Sequence, residues 1–144
     1  MSPPLDSLPL DSPALALRAA IHAALVADAA LVALLGAPRV HDVPTGDADF
    51  PFVTLGEAVV ADWSTATEAG TEQALTLHVF SRSGGRAEAF AIAARLQAAL
   101  HDAALTLEGH RLANLRATTA EVRRESDGRT FHALVRFRAV TEPV

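Results

Sequence analysis

Residues 118–138 read TTAEVRRESDGRTFHALVRFR, and how they pair decides the fold. Asp127-Gly128 between two strand-like runs is the signal of a two-residue type I′ hairpin turn. With those two residues as the turn, Arg124 pairs with Phe131, Val122 with Ala133, Ala120 with Val135 and Thr118 with Phe137. That register sets Phe131, Ala133, Val135 and Phe137 on one apolar face. Glu121, Thr119, Arg123, His132, Leu134, Arg136 and Arg138 fall on the other. A slip of one residue would invert both faces, so turn chemistry and binary pattern select the same register.

Two further strands precede this hairpin. In Glu72–Arg82, Leu75, Leu77 and Val79 alternate with Thr76, His78 and Phe80. Both faces carry bulk, which predicts an interior strand covered on both sides or completed by a neighbouring subunit. Phe52–Glu57 reads as a strand running on toward Val60, with a bulge or a close approach at Gly56. Asp62–Gly70 is small and polar and reads as a loop that holds Trp63. A short strand is expected within Arg39–Asp42.

Helices account for most of the remainder. Ser12-Pro13 is an N-cap followed by proline at the first helical position, and Leu17, Ile21, Ala24 and Leu25 form one apolar face. Carrying that face onward would bury Asp28. The first helix is therefore expected to end near Ala27, with Asp28 capping a short second helix over Ala29–Leu35 that Gly36 stops. Ser83-Gly84-Gly85 is read as the capped opening of a third helix through about His101. Its inward face is Ala89, Ile92, Ala93, Leu96, Ala99 and Leu100, with Glu88, Arg95 and Asp102 outward. Residues 1–12, rich in proline, read as an arm, and 13–144 as one domain. The fold class is α+β: a mainly antiparallel sheet with two longer helices and one short one packed on it.

Composition narrows the chemistry. The chain has 144 residues, no cysteine, and twelve basic residues, all arginine, against seventeen acidic ones. Thiolate zinc sites, cysteine nucleophiles, Schiff-base lysines and the lysine of a phosphate loop are excluded. An acidic chain with six Phe, one Trp and no Tyr is poorly suited to gripping nucleic acid. No signal-peptide pattern opens it, and Arg18, His22 and Asp28 interrupt its most apolar stretch, so a cytoplasmic protein is expected.

Six histidines (His22, His41, His78, His101, His110, His132) form no His-x3-His pair. His78 and His132 face each other if their strands are neighbours, but no third ligand accompanies them, and a structural role is expected. Ser81-Arg82-Ser83-Gly84-Gly85-Arg86 sits where anions bind helix starts, yet helix capping explains it. Asp47/Asp49 and Glu68/Glu72 are placed in solvated loops, where two carboxylates do not acquire separate acid and base roles. No catalytic, metal or cofactor site follows from these residues. The arginines Arg123, Arg124, Arg129, Arg136 and Arg138, with Trp63, are the candidate interface, because guanidinium groups and Trp anchor partly desolvated contacts. Asp62, Glu68, Glu72 and Glu88 are carboxylates that a second copy could offer them.

The segments PFVTLGEAVVADWST, GTEQALTLHVFSRSGGRAEAFAIAARLQAAL, LEGHRLANLRAT and DGRTFHALVRFRAV resemble the tail-completion (tail-terminator) proteins of long-tailed phages, including relatives in prophages and gene transfer agents. The resemblance spans about Ala14 to Glu142. It implies an α+β subunit that forms a ring, typically a hexamer, on the end of the tail tube. Such a ring ends tube polymerisation and joins the tail to a head-side connector. The implied partners are copies of the chain itself, the tube protein and the connector or stopper protein. The implied location is the cytoplasm during assembly and then a phage-like particle. DNA would pass through without specific binding and no membrane would be involved. No catalytic residues carry over. A net-acidic subunit would let DNA slide, with acidic side chains toward the bore and arginines toward neighbours. The competing expectations are a small α+β ligand-binding or enzymatic dimer, and another neck or connector component.

Overall fold

The computed structural model describes residues 12–43 and 46–144. The expected arm at 1–12 therefore lies outside the described residues except for Ser12. Helix α1 (Pro13–Val26) begins as its cap requires, with Ser12 Oγ accepting from Leu15 N at 3.3 Å. Its buried residues Leu17, Ile21 and Leu25 repeat at helical spacing. At Asp28 the chain turns through 74° into α2 (Ala29–Leu35). Asp28 Oδ1 accepts from Leu31 N at 2.9 Å, while Oδ2 receives Arg95 from α3 at 3.2 Å. One carboxylate thus caps a helix and pins its neighbour, which is why the apolar stripe breaks there. Gly36 closes α2 in the left-handed conformation, φ 83°.

The sheet follows as β1 (Val40–His41), β2 (Phe52–Asp62), β3 (Thr71–Ser81), then α3 (Ala87–Leu100), β4 (His110–Arg124) and β5 (Phe131–Pro143). Strand order is β1-β2-β3-β5-β4, with β1 parallel to β2 and every other pair antiparallel. The expected α+β class holds. The helices cover one face, where Leu17, Leu25, Leu31, Ile92 and Leu96 meet Val53, Leu77, Val79, Val135 and Phe137 in a single core.

Gly56 marks a β-bulge: Leu55 stands opposite Leu77 but Ala58 opposite Leu75, so β2 carries one extra residue. A Cβ at Gly56 would lie 2.4 Å from His78 Cδ2 and 2.7 Å from Thr76 O, so only glycine fits. Arg18 from α1 ties this kink down, donating to Gly56 O at 2.8 Å, to Leu55 O, and to Asp42 Oδ1 at 2.6 Å.

Three local expectations need correction. The hairpin keeps its expected pairs Arg124/Phe131, Val122/Ala133 and Ala120/Val135, but a bulge at Thr118 leaves Ala117, not Thr118, opposite Phe137. The turn is not type I′, which needs positive φ at both central residues. Here Gly128 alone is left-handed (φ 77°), Gly128 N donates to Glu125 O at 3.0 Å, and Asp127 accepts from Arg129 N, Thr130 N and Thr130 Oγ1. Those three bonds hold the Asp127 carboxyl down at about 2. Finally, Ser83 caps no helix. The helix starts at Ala87 with Arg86 in the cap position and no side-chain cap, while Ser83 Oγ lies 3.3 Å from Ser81 Oγ.

Candidate functional site

The face of the sheet away from the helices carries the charged residues. Successive side chains on β5 alternate, so His132, Leu134, Arg136, Arg138 and Val140 share this face with Glu72, Ala74, Thr76, His78 and Phe80 of β3. Arg138 grips Glu72 Oε2 through Nε at 3.1 Å and Nη2 at 2.6 Å, and its guanidinium stands 5.0 Å from the Trp63 ring. The indole is half exposed, 51 %. It makes a cation–π contact on the open face of the sheet and is not seated in the core. Arg136 meets Glu121 Oε1 at 3.2 Å, and Arg123 approaches the same oxygen at 3.7 Å. A shallow groove of about 380 Å³ lies here, lined in part by Glu57, Val59, Glu72, Ala74, Arg136 and Arg138.

The six candidate interface residues therefore form two groups. Trp63, Arg136 and Arg138 share the open face, Trp63 and Arg138 toward the β2–β3 loop and Arg136 opposite Thr76, and Arg123 joins Arg136 through Glu121. Arg124 and Arg129 stand apart at the β4–β5 turn, where Arg124 Nε donates to Gly128 O at 2.8 Å. Among the described residues the Arg129 guanidinium has no hydrogen-bonding partner. Of the carboxylates expected to serve a second copy, Glu72 is used by Arg138, Glu88 accepts from Ser81 Oγ at 2.7 Å, and Asp62 accepts from Ser64. Glu68 is the one with no side-chain partner among the described residues.

The two histidines singled out by the strand pattern do meet. His78 Nδ1 lies 2.6 Å from His132 Nε2, His78 Nε2 lies 2.6 Å from Glu57 Oε1, and His132 Nδ1 lies 2.6 Å from Glu125 Oε1. The result is a carboxylate–imidazole–imidazole–carboxylate chain across three strands. All four nitrogens are engaged, leaving no lone pair directed at a metal. Among the described residues no group of three or more His, Asp or Glu is placed to hold one. Phe80 stacks on His132 at 4.5 Å between centroids, and Phe52 stacks on Phe80 at 5.1 Å. Burial pushes the His132 imidazole below its ordinary range, against the pull of Glu125, and the bond from His78 holds the Glu57 carboxyl low. Glu57 and Glu125 were not legible as members. Each lies off the direct cross-strand register, one beside a bulge and the other at the turn.

These observations define a small α+β protein whose surface chemistry consists of ion pairs, stacked rings and strand edges. Residues 19–142 match the family model described as tail completion protein gp17, and the chain belongs to that family. It is similar to a protein in the solved virion of a native gene transfer agent particle: 38 % identity, 92 % of this chain and 98 % of that one covered, TM-score 0.84. It is also similar to bacteriophage SPP1 gp17, at 25 % identity, 92 % and 94 % coverage and TM-score 0.60. No curated protein sequence matches it.

Proposed function

We propose that the chain is a structural subunit of a phage-like tail, acting by contact and not by catalysis. Several copies would form a ring, in the expected case a hexamer, that caps the tail tube, ends its polymerisation and joins it to the head-side connector. Family membership and the likeness to a gene transfer agent virion protein support the particle context.

The observation that carries the ring is the segregation of charge across one sheet. Residues 52–81, the β2–β3 side, hold Glu57, Asp62, Glu68 and Glu72 and no basic side chain but His78. At the opposite edge, β4 carries Arg111, Arg116, Arg123 and Arg124 against a single Glu121. A two-fold dimer sets like patches together, whereas a head-to-tail contact sets the acidic edge of one copy against the basic edge of the next. Head-to-tail contacts close into a ring where the rotation from copy to copy closes, and run on as a filament where it does not. This argues against the dimeric ligand-binding or enzymatic alternative. The candidate contacts Trp63, Arg123, Arg124, Arg129, Arg136 and Arg138 remain part of this proposal. So do the division into an arm at 1–12 and one domain at 13–144, and an acidic bore through which DNA slides. Among the described residues no single helix is long and apolar enough to cross a membrane.

The test is mass measurement and negative-stain imaging of the purified chain, alone and with its tube protein. Rings at the ends of tubes of fixed length are expected. Tubes that grow on regardless of the added chain would refute capping. A neck or connector role would show instead as binding to the connector and not to the tube.

A further inference from the structure

Strand β1 is only two residues long, so β2 and β4 form the outer strands over most of the sheet, and each is covered along only part of its length. On β2, strand β1 pairs with Val53 and Thr54, and Arg18 takes the outward carbonyls of Leu55 and Gly56. Beyond that point nothing covers the edge among the described residues. On β4, the loop after α3 supplies Asp102 N to Leu115 O at 2.7 Å, and His101 Nδ1 accepts from Ala117 N at 2.9 Å. From Thr119 onward that edge is also bare among the described residues.

The antiparallel alternation says which backbone groups these bare halves present. Trp63 N donates to Gly70 O at 2.9 Å, so Trp63/Gly70 is a hydrogen-bonded pair, and so in turn are Ala61/Glu72 and Val59/Ala74. The N–H and C=O groups of Ala58, Val60 and Asp62 must then point away from β3. Likewise Glu125 N donates to Thr130 O at 2.8 Å, which directs Ala120, Val122 and Arg124 away from β5. Each free edge offers three residues with outward-facing backbone groups.

Exposed edges are ordinarily protected by lysine, proline or inward charge. The β2 half has no lysine and no proline, and its one charge is Asp62 at the far end. Ala58, Val59, Val60 and Ala61 are consecutive, apolar and exposed, with Val59 67 % and Val60 46 % accessible. We propose that Ala58–Asp62 of one copy pairs, backbone to backbone, with Ala120–Arg124 of the next, continuing the sheet from subunit to subunit. The occupant is a second copy because the charges match: β2 carries Glu57 and Asp62 and no arginine, and the β4 half ends in Arg123 and Arg124. Along the order β2-β3-β5-β4 the strands alternate in direction, so β4 meets the next β2 antiparallel.

This inference rests on the assembly reading above and specifies its contact. The test uses Val60→Pro and Val59→Pro in the full chain. Proline at 60 removes an outward N–H and leaves the β2–β3 ladder whole, whereas proline at 59 breaks that ladder. Val60→Pro is expected to melt like wild type and to need at least tenfold more protein to assemble, with or without the tube protein present. Val59→Pro is expected to melt lower. Amide exchange at Val60 and Val122 should slow only in the assembled state. If Val60→Pro assembles at the wild-type concentration, or those amides exchange freely in the ring, edge pairing is wrong while the ring stands. If Val60→Pro melts as low as Val59→Pro, the assigned alternation is wrong and the proposal falls. If wild type never associates, the ring reading and this contact fail together.

Discussion

His78 Nδ1 and His132 Nε2 stand 2.6 Å apart on adjacent strands, each imidazole holding a carboxylate with its other nitrogen. Burial of the His132 imidazole, with His78 beside it, disfavours a positive charge there in the folded state. His132 accordingly titrates below 6.5 in the folded protein. In acid the unfolded state binds a proton that the folded state refuses, so stability is intact above 6.5 and declines as pH falls through that value. Thermal melts from pH 7.5 down to pH 5 should show the midpoint falling by a few degrees, and His132→Asn should flatten that dependence. Glu57, held below 4.5 by His78, adds a second loss of the same sign at lower pH. A midpoint that rises between pH 7.5 and 5.5 would contradict the arrangement.

Gly56→Ala places a methyl where 2.4 Å separates it from an imidazole carbon and 2.7 Å from a backbone oxygen. His78 must move and the bulge must open. A loss of about 1–3 kcal/mol is expected from overpacking of this kind. Because the displaced ring belongs to the histidine chain, the pH dependence should weaken as well. Denaturant unfolding at two pH values reads both effects.

Trp63→Ala removes a half-exposed ring that stands 5.0 Å from the guanidinium of Arg138. The melting midpoint should move by no more than a degree or two, because little apolar area leaves the core. Assembly should weaken by tenfold or more, measured as the concentration at which rings form. The reverse pattern, a large drop in stability with assembly unchanged, would make Trp63 a cover for the core.

Asp28→Ala deletes the α2 cap and the partner of Arg95 in one step. Losing the cap costs about 1 kcal/mol. Asp28→Asn keeps a capping oxygen and should recover most of that loss, which calorimetry would show.

Much of this fold was legible where short-range chemistry decides it. The break at Asp28, the stop at Gly36 and the bulge at Gly56 each follow from one residue that no neighbouring conformation suits. Hairpin pairing was legible as far as Ala120 and failed at Thr118, because a bulge leaves no mark in a run of small polar residues. The start of α3 was misplaced because serine and glycine favour a cap but do not require one, and Ser83 found Ser81 instead. Of the surface cluster, Trp63 and the arginines were visible by type. The pairing of Arg138 with Glu72, and the joining of Glu57 and Glu125 to the two histidines, depend on which strands become neighbours. Residue spacing along the chain does not encode that.

The bare halves of the two outer strands lie at opposite ends of the sheet. Val60 stands opposite Gln73, whereas Val122 stands opposite Ala133 and through it Val79, six residues further along β3. Joining copies through those halves displaces each by about 20 Å along the strands for about 19 Å across them, from the usual rise and spacing of β-structure. A level ring is then possible only if the strands lean at about 45° to its axis, near the inclination of strands in closed barrels. The partial cladding of each edge would thus set the slant of the whole collar, and with it the diameter of the channel it encloses.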